Sequence, residues 1–207
     1  MKKVLSLILT ALFAVSSFSV LGAVLPFDDV DENGWYYSSV CDVYEKGIFN
    51  GVTAESFAPN DTLTRAMFVT ALARVEGIDP ELYNWKVLGD VAPSDWYGPY
   101  VAWAYDKAIT QSMGNDDFRP NYHVTREQIA TFIVRYLKNC TETELKSAEI
   151  QYKDKDKISD FAKEPVGICL AMGLMKGDEN GYFDPLSPIT RAQAAAVISR
   201  LIDMTEK

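Results

Sequence analysis

Apolar residues recur at three- and four-residue spacing in three segments of the chain, which is the pattern of a helix with one buried face. These segments are Phe68–Val75, Ile129–Leu137 and Ala194–Leu201. A shorter apolar helix is predicted ahead of each of them. The three shorter helices are Val40–Lys46, Val101–Lys107 and Val166–Met172. The pattern therefore predicts one helix-loop-helix unit that occurs three times.

A motif of the form F-x-P-x4-T-R precedes each longer helix and marks the repeat. Its copies are Phe57–Arg65, Phe118–Arg126 and Phe183–Arg191, so successive copies are 61 and 65 residues apart. We divide the chain into repeats of residues 24–87, 88–151 and 152–207, and each of the first two includes the segment that connects it to the next. Helical repeats of this length cannot bury a core alone, so the three are expected to fold as a unit.

The motif threonines stand at the predicted starts of the longer helices. Thr64, Thr125 and Thr190 each follow a turn and precede an apolar pattern, where a hydroxyl accepts a hydrogen bond from the first free N–H groups. Gln128 and Gln193 follow the second and third threonines at the spacing of a reciprocal capping box. We therefore predict three capped helices, of which two have the full box.

The motif arginines, Arg65, Arg126 and Arg191, fall in the first turn of these helices, on the flank of the apolar stripe. A cation at this end opposes the helix macrodipole by about 0.3–1 kcal/mol. Because this happens three times, we expect a partner for each arginine, either a structural carboxylate or a bound anion. A second set lies nine residues later on the opposite face and is predicted to be structural. This set is Arg74, Arg135 and Arg200.

Each repeat opens with an acidic and aromatic segment. Its recurrent acids are Asp29, Asp90 and Asp154, and its aromatic residues at the repeat offset are Trp35, Trp96 and Phe161. An indole has an apolar body and a polar N–H group, so the tryptophans fit either the core or a sugar-binding surface.

The turn after the shorter helix differs between the repeats. In repeat 2, Ala108 replaces the glycine that ends the shorter helix in the other two. Four residues later, Gly51 and Gly177 allow a close backbone approach or a positive φ, whereas Ser112 of repeat 2 does not readily do so. We therefore predict that the ligand affinities of the repeats are unequal.

Residues 1–23 have the layout of a secretory signal peptide, with Lys2 and Lys3 before an apolar core that ends in small residues. The chain is therefore expected to be exported, with no membrane span after cleavage. Removing this segment takes two lysines and no acids, so the formal net charge changes from −9 to −11. This acidity argues against nucleic acid as a partner, and any anionic ligand must be held by local arginines.

The sequence contains no recognisable catalytic or metal-binding motif. Three cysteines and one histidine indicate neither a disulfide framework nor a zinc site. The segments Asp154–Asp156 and Asp178–Gly181 lack the later ligands of a calcium loop. The recurrent acids come singly in each repeat, whereas glycan hydrolysis needs paired carboxylates. We therefore predict no enzyme activity, no cofactor and no metal.

The signal peptide, the three evenly spaced repeats, their acidic and aromatic openings and the T-R motif together resemble the S-layer homology (SLH) domain family. The resemblance implies an all-α pseudo-threefold trimer, in which helices of the three repeats form a shared central bundle. It also implies grooves between the repeats that bind pyruvylated secondary cell wall polysaccharide linked to peptidoglycan. Such binding would hold an exported protein non-covalently at the cell envelope, as in an S-layer.

We predict that the arginines meet ligand carboxylates and that the tryptophans line the grooves. The full set of predicted ligand-binding residues is Arg65, Arg126, Arg191, Thr64, Thr125, Thr190, Trp35, Trp96, Asp29, Asp90, Asp154, Gly51 and Gly177. The family motif is commonly T-R-A-E, whereas here it reads T-R-A-M, T-R-E-Q and T-R-A-Q, so no copy keeps the acid. The alternative function is an envelope-assembly protein that binds another protein through the same surfaces.

Overall fold

The computed structural model describes residues 25–206, so the predicted signal peptide lies outside the described residues. This part of the chain is helical, and the all-α prediction is confirmed for it. Its elements are α1 (Tyr37–Glu45), α2 (Arg65–Glu76), α3 (Gly98–Asp106), α4 (Arg126–Cys140), α5 (Asp160–Ala171) and α6 (Arg191–Thr205), with 3-10 turns at Pro80–Tyr83 and Lys155–Lys157. None of these helices has the length and apolar character that a membrane span requires.

The longer helices α2, α4 and α6 begin where their threonine caps predict. The side chains of Thr64, Thr125 and Thr190 each accept a hydrogen bond from the backbone N–H three residues later. Gln128 and Gln193 complete the reciprocal capping boxes of α4 and α6. Both parts of the capping prediction are confirmed.

The shorter helices begin earlier than predicted. Helices α1 and α3 follow Tyr36 and Tyr97, whose side chains make no capping hydrogen bond. Helix α5 begins at Asp160 and includes Pro165 in its interior. These starts carry no threonine-type signal, and a proline normally ends a helix, so the sequence pattern located only their C-terminal parts.

The second helix of each repeat packs against the first helix of the following repeat. The contacting pairs are α2 with α3, α4 with α5, and α6 with α1, and α2 also contacts α4 and α6. The motif phenylalanines Phe57, Phe118 and Phe183 are all fully buried in the resulting core. Within the described residues, the helices of one repeat pack mainly against helices of the other repeats, so the repeats cover each other's helices and share one core.

A ring of three backbone hydrogen bonds joins the residues that precede the capping threonines. The N–H of Leu63 donates to the carbonyl of Ile189 (3.1 Å), that of Val124 to Leu63 (3.1 Å) and that of Ile189 to Val124 (3.2 Å). Repeat 3 thus contacts repeat 1 in the same way as repeat 1 contacts repeat 2. The pseudo-threefold trimer stays a prediction, and this closed ring is an observation that favours it.

The turns that end α1, α3 and α5 all use the left-handed backbone conformation. Gly47 has φ +67° and Gly173 has φ +70°, as the glycines predict. Ala108 of repeat 2 has φ +52°, so it adopts the same conformation despite its side chain. The turn of repeat 2 is therefore closed in the same way as the others, at the cost of backbone strain.

Candidate ligand-binding groove

The recurrent aspartates hold the F-x-P turn of their own repeat. The carboxylate of Asp29 accepts hydrogen bonds from the N–H groups of Phe57 and Ala58, both at 2.8 Å, and from the hydroxyl of Ser56 at 2.7 Å. Asp90 and Asp154 accept the equivalent backbone pairs in repeats 2 and 3. These carboxylates are engaged by the turn and have a structural role, and their part in ligand binding stays a prediction.

The residue after each motif phenylalanine is forced into the left-handed region. It is Ala58 (φ +57°), Arg119 (φ +61°) or Asp184 (φ +54°). This conformation is unfavourable for residues with a side chain, and the aspartate below it supplies compensating hydrogen bonds. The turn presents the carbonyl of the phenylalanine to the neighbouring repeat.

Each motif arginine reaches across to that carbonyl in the following repeat. The Nε group of Arg65 donates to Phe118 O at 2.9 Å, that of Arg126 to Phe183 O at 2.7 Å, and that of Arg191 to Phe57 O at 2.6 Å. Each guanidinium also lies over the ring of the same phenylalanine, 4.5–4.8 Å from its centre. The arginines therefore tie the repeats together in a cycle through charge-assisted hydrogen bonds and cation–π contacts.

Two of the arginines make a second hydrogen bond of the same kind. Arg126 Nη2 donates to Lys176 O at 2.8 Å, and Arg191 Nη2 donates to Asn50 O at 2.7 Å. Arg65 instead makes a long contact of 3.5 Å from Nη1 to the side-chain amide of Gln128. Burial lowers the pKa of all three guanidinium groups, and with a smaller contribution from a nearby cation it lowers the pKa of Arg65 to about 10.

A carboxylate in direct contact, one of the two partners expected for the motif arginines, is not found among the described residues. Across residues 25–206, none of the ion pairs includes Arg65, Arg126 or Arg191, and their hydrogen-bond acceptors are backbone carbonyls and one amide. A carbonyl carries only a partial negative charge, so it does not neutralise the guanidinium. Each arginine therefore lies at the junction between two repeats with an aspartate near it but outside ion-pair distance, Asp90 for Arg65, Asp184 for Arg126 and Asp61 for Arg191.

One groove collects predicted site residues from all three repeats. It has a volume of about 330 Å³, and its lining includes Trp35 from repeat 1, Arg126 from repeat 2, and Gly177 and Thr190 from repeat 3. Nε and Nη2 of Arg126 donate to carbonyls, whereas its Nη1 makes no hydrogen bond within residues 25–206. The groove therefore combines an aromatic wall with a positioned cation.

The exposed indoles contradict a core role for the tryptophans. Trp35 is 64% exposed and stands edge-on to Tyr36, and Trp96 is 58% exposed and stands edge-on to Tyr97. Phe161, at the equivalent position of repeat 3, is exposed as well. Trp35 lines the groove described above, whereas Trp96 does not.

The remaining predicted residues are not all brought to one site. Arg65, Arg191, Thr64, Thr125, Gly51 and Trp96 belong to the equivalent junctions of the other repeats and do not line this groove.

Gly51 and Gly177 are required by packing and not by a positive φ. A Cβ atom on Gly177 would lie 2.4 Å from the Tyr152 ring, and one on Gly51 would lie 2.5 Å from the Phe27 ring. In repeat 2 the residue at the position of these rings is Leu88, and Ser112 stands in place of the glycine. In repeat 2, the smaller Leu88 in place of an aromatic ring thus accompanies the larger Ser112 in place of a glycine.

Two cations of the groove were missed by the sequence prediction. Lys176 and Arg200 both line it, although Arg200 was assigned a purely structural role. Arg200 does make a structural hydrogen bond, from Nη1 to Leu174 O at 3.1 Å, as Arg74 and Arg135 do in their own repeats. Arg200 lies on the face of α6 opposite Arg191. It shares the groove with Arg126, the motif arginine of the preceding repeat, and the apolar pattern of one helix cannot reveal such a pairing.

Comparison with known proteins identifies the repeats. The family model described as the S-layer homology domain matches residues 26–67, 88–130 and 151–195, which together form more than half of the chain. The chain belongs to the S-layer homology domain family. The three tandem SLH repeats predicted from the sequence are confirmed, and so is the predicted localisation at the cell envelope surface.

Several characterised proteins contain a region similar to these SLH repeats. An endoglucanase of Bacillus sp. (strain KSM-635) is 34% identical over 86% of this chain and 19% of its own length. An amylopullulanase of Thermoanaerobacterium thermosulfurigenes is 31% identical over 86% of this chain and 9% of its own length. An S-layer protein of Bacillus thuringiensis subsp. finitimus is 28% identical over 96% of this chain and 24% of its own length. The chain thus spans less than a quarter of the length of each of these relatives.

Proposed function

We propose that this protein is a cell-wall anchoring module, and that the groove beside Trp35 and Arg126 binds an anionic, pyruvylated secondary cell wall polysaccharide. The observation that carries the proposal is the groove itself, because it joins an exposed indole to a guanidinium that forms none of the ion pairs among the described residues. Membership of the SLH family and similarity to an S-layer protein support the anchoring role.

The chemistry of the groove favours an acidic sugar. An indole face stacks on the apolar face of a pyranose, and a ligand carboxylate is attracted to Arg126, Lys176 and Arg200. The groove is also lined by Asp178 and Asp184, so an anionic polymer must place its carboxylate on the three cations and away from these two acids. The proposed role is non-catalytic, since the similarity to the two glycan-degrading relatives covers only a small part of each.

Co-sedimentation with purified cell wall tests this function. The protein should pellet with wall that carries its secondary polymer and remain in solution after the polymer has been stripped chemically. If it pellets equally with stripped wall, the secondary polymer is excluded as the ligand. A protein ligand in the wall fraction, as the envelope-assembly alternative requires, would be revealed by loss of pelleting after protease treatment of the wall.

A pair of tryptophan variants tests the groove. Trp35→Ala removes the aromatic wall of the groove, and Trp96→Ala removes an equally exposed indole that does not line it. We expect Trp35→Ala to weaken wall binding by about tenfold, in line with the loss of one stacking contact, and Trp96→Ala to have a smaller effect. Equal losses in the two variants would argue against the assignment of this groove.

A further inference from the structure

A second cleft lies where the segment that connects repeats 1 and 2 packs against α3. Its volume is about 490 Å³, and it is lined by Trp85, Lys86 and Val87 of the connecting segment and by Tyr105 and Asp106 of α3. None of these residues lines the groove at Trp35, and none belongs to an F-x-P turn. The cleft is therefore separate from the groove and is not one of its counterparts in the other repeats.

The two aromatic side chains of the cleft are both exposed to solvent. Trp85 is 44% exposed, and Tyr105 is 43% exposed. A single exposed apolar side chain is normal on a protein surface, whereas several that adjoin one another mark a place where something binds. The cleft is therefore a candidate binding site.

The connecting segment holds Trp85 in place before any ligand arrives. Its 3-10 turn begins with Pro80, and the side chain of Asp79 accepts a hydrogen bond from the N–H of Glu81 at 3.0 Å. The N–H of Trp85 then donates to the carbonyl of Tyr83 at 3.0 Å, and the two rings lie 5.3 Å apart between their centres. A ligand that binds the indole therefore has little ordering of this segment to offset.

The other repeats show that the fold does not require this cleft. The segment that connects repeats 2 and 3, residues 138–151, contains no aromatic residue. At the position of Tyr105, repeat 1 has Tyr44, whose ring packs against that of Phe27 at 5.0 Å, and repeat 3 has Leu170. The exposed pair of rings is thus particular to the first connecting segment.

The charges that line the cleft are balanced, although the protein as a whole is acidic. The lining has one cation, Lys86, and one carboxylate, that of Asp106. Asp106 also pairs with Lys107 at 3.2 Å, but a carboxylate has two oxygens and accepts several hydrogen bonds. One donor group and one acceptor group beside two aromatic rings fit a ligand that is uncharged and rich in hydroxyl groups.

We propose that this cleft binds a neutral pyranose unit of a glycan. The apolar face of the sugar stacks on Trp85, with the ring of Tyr105 beside it. The sugar hydroxyls accept a hydrogen bond from the ammonium group of Lys86 and donate to the carboxylate of Asp106. The inference goes beyond the proposed anchoring function and does not depend on it, because the two sites share no residue.

Titration of the isotope-labelled protein with neutral oligosaccharides, followed by NMR, tests the proposal. The chain has four tryptophans, so the indole N–H signals report on each of them separately. Cellotriose and triacetylchitotriose serve as probes, and the tighter of the two shows whether the source is a glucan or an acetylated amino-sugar glycan. We expect saturable binding with the largest shift at Trp85. No saturable binding of either probe, or the largest shift at Trp35, would overturn the proposal.

The salt dependence of the same titration tests the charge of the ligand. Affinity for a neutral sugar should be the same at low and at high salt, because salt screens interactions between charges. A steep loss of affinity at high salt would contradict recognition of a neutral group. A polyproline peptide that shifts the Trp85 signal when neither oligosaccharide does would assign the cleft to a protein ligand instead.

Three variants test the assignment to Trp85. Trp85→Ala should lower oligosaccharide affinity about tenfold, and Trp85→Phe, which keeps a ring for stacking, should lower it less. Leu186→Ala removes a side chain that is 59% exposed and lines neither site, so affinity should not change. If folded Trp85→Ala keeps its affinity, or Leu186→Ala loses as much, the assignment is wrong. Pelleting with cell wall through the groove should persist in Trp85→Phe, so failure of one site is distinguishable from failure of the other.

Discussion

Repeat 2 and its two neighbours use the same backbone with different side chains. In repeats 1 and 3 an aromatic ring, Phe27 or Tyr152, lies against a glycine, whereas repeat 2 has Leu88 and Ser112 at the two equivalent positions. The smaller side chain at the first position of repeat 2 thus accompanies a larger one at the second, as close packing would require. At Ala108 of repeat 2 no such compensation is visible, and the residue simply takes a positive φ. The comparison therefore separates positions where packing sets the residue from positions where strain is tolerated.

The largest effect is expected when the serine of repeat 2 is placed in repeat 1. Gly51→Ser puts a Cβ atom 2.5 Å from the Phe27 ring and within 2.3–2.7 Å of the carbonyl oxygens of Thr53 and Ser56. Overpacking of this kind should lower the free energy of unfolding by about 3 kcal/mol, measured by urea denaturation.

A double variant sharpens this test. Phe27→Leu copies the partner found in repeat 2, so Phe27→Leu with Gly51→Ser should be more stable than the sum of the two single changes predicts. The recovery should be partial, because the two backbone oxygens still crowd the new side chain. Strict additivity would show that the ring and the glycine are not coupled.

The next largest loss of stability is expected when a motif arginine, which donates to the F-x-P turn of the following repeat, is replaced by lysine. Arg191 donates to two carbonyls of repeat 1, whereas Arg65 donates to one carbonyl of repeat 2 and makes only a long contact to Gln128. Lysine keeps the charge but cannot reproduce the fork. Arg191→Lys should therefore cost about 2 kcal/mol of unfolding free energy, and Arg65→Lys about 1 kcal/mol less. Equal losses would mean that the second carbonyl contributes nothing.

These roles of the arginines were only partly predictable from the sequence. The sequence shows that a cation in the first turn of a helix needs a partner. It does not show which one, because the acceptors of Arg65 and Arg191 lie 53 and 134 residues away along the chain. The threonine caps were predictable because donor and acceptor are three residues apart. The need for Gly51 was recognised, yet its cause, the Phe27 ring, is a tertiary contact.

The sequence predicts which types of residue line the groove, but it does not predict which repeat supplies each of them. Alignment of the repeats marks Trp35, Arg126 and Gly177 as members of three recurring sets of residues. It does not show that one groove takes each of them from a different repeat. An indole fits a core or a surface equally well by composition, so the exposure of Trp35 and Trp96 had to come from the structure.

A smaller effect is expected at the strained turn of repeat 2. Ala108→Gly introduces the residue that repeats 1 and 3 use at this position and relieves the cost of φ +52°. It should raise the free energy of unfolding by about 0.5–1 kcal/mol after the greater flexibility of the unfolded glycine is included. Gly47→Ala is the matched reverse change and should destabilise by a similar amount. A destabilising Ala108→Gly would show that the alanine side chain contributes packing that outweighs its strain.

The smallest effect is expected from removing the Ser56 hydroxyl, which bonds to Asp29 in repeat 1 and has no serine counterpart in repeats 2 and 3. Partial burial raises the pKa of Asp29, but hydrogen bonds from the Ser56 hydroxyl and from the N–H groups of Phe57 and Ala58 lower it further, so the net pKa is below the ordinary value. Ser56 is replaced by Asp117 and Tyr182 in the other repeats, which leaves their aspartates without this hydroxyl.

Ser56→Ala should therefore move the pKa of Asp29 upward, toward its ordinary value, in an NMR titration of the carboxyl group. A carboxyl whose pKa is lowered on folding stabilises the protein above the pKa of the unfolded state, about 3.9, and this contribution is lost as the pH falls through the folded pKa. Because Asp29 is exposed and its charge is screened by solvent, the variant should lose only about 0.3 kcal/mol of unfolding free energy at pH 7 and little once the carboxyl is protonated in both states. A loss of the same size below pH 2 would mean that the serine stabilises the turn independently of the charge on Asp29.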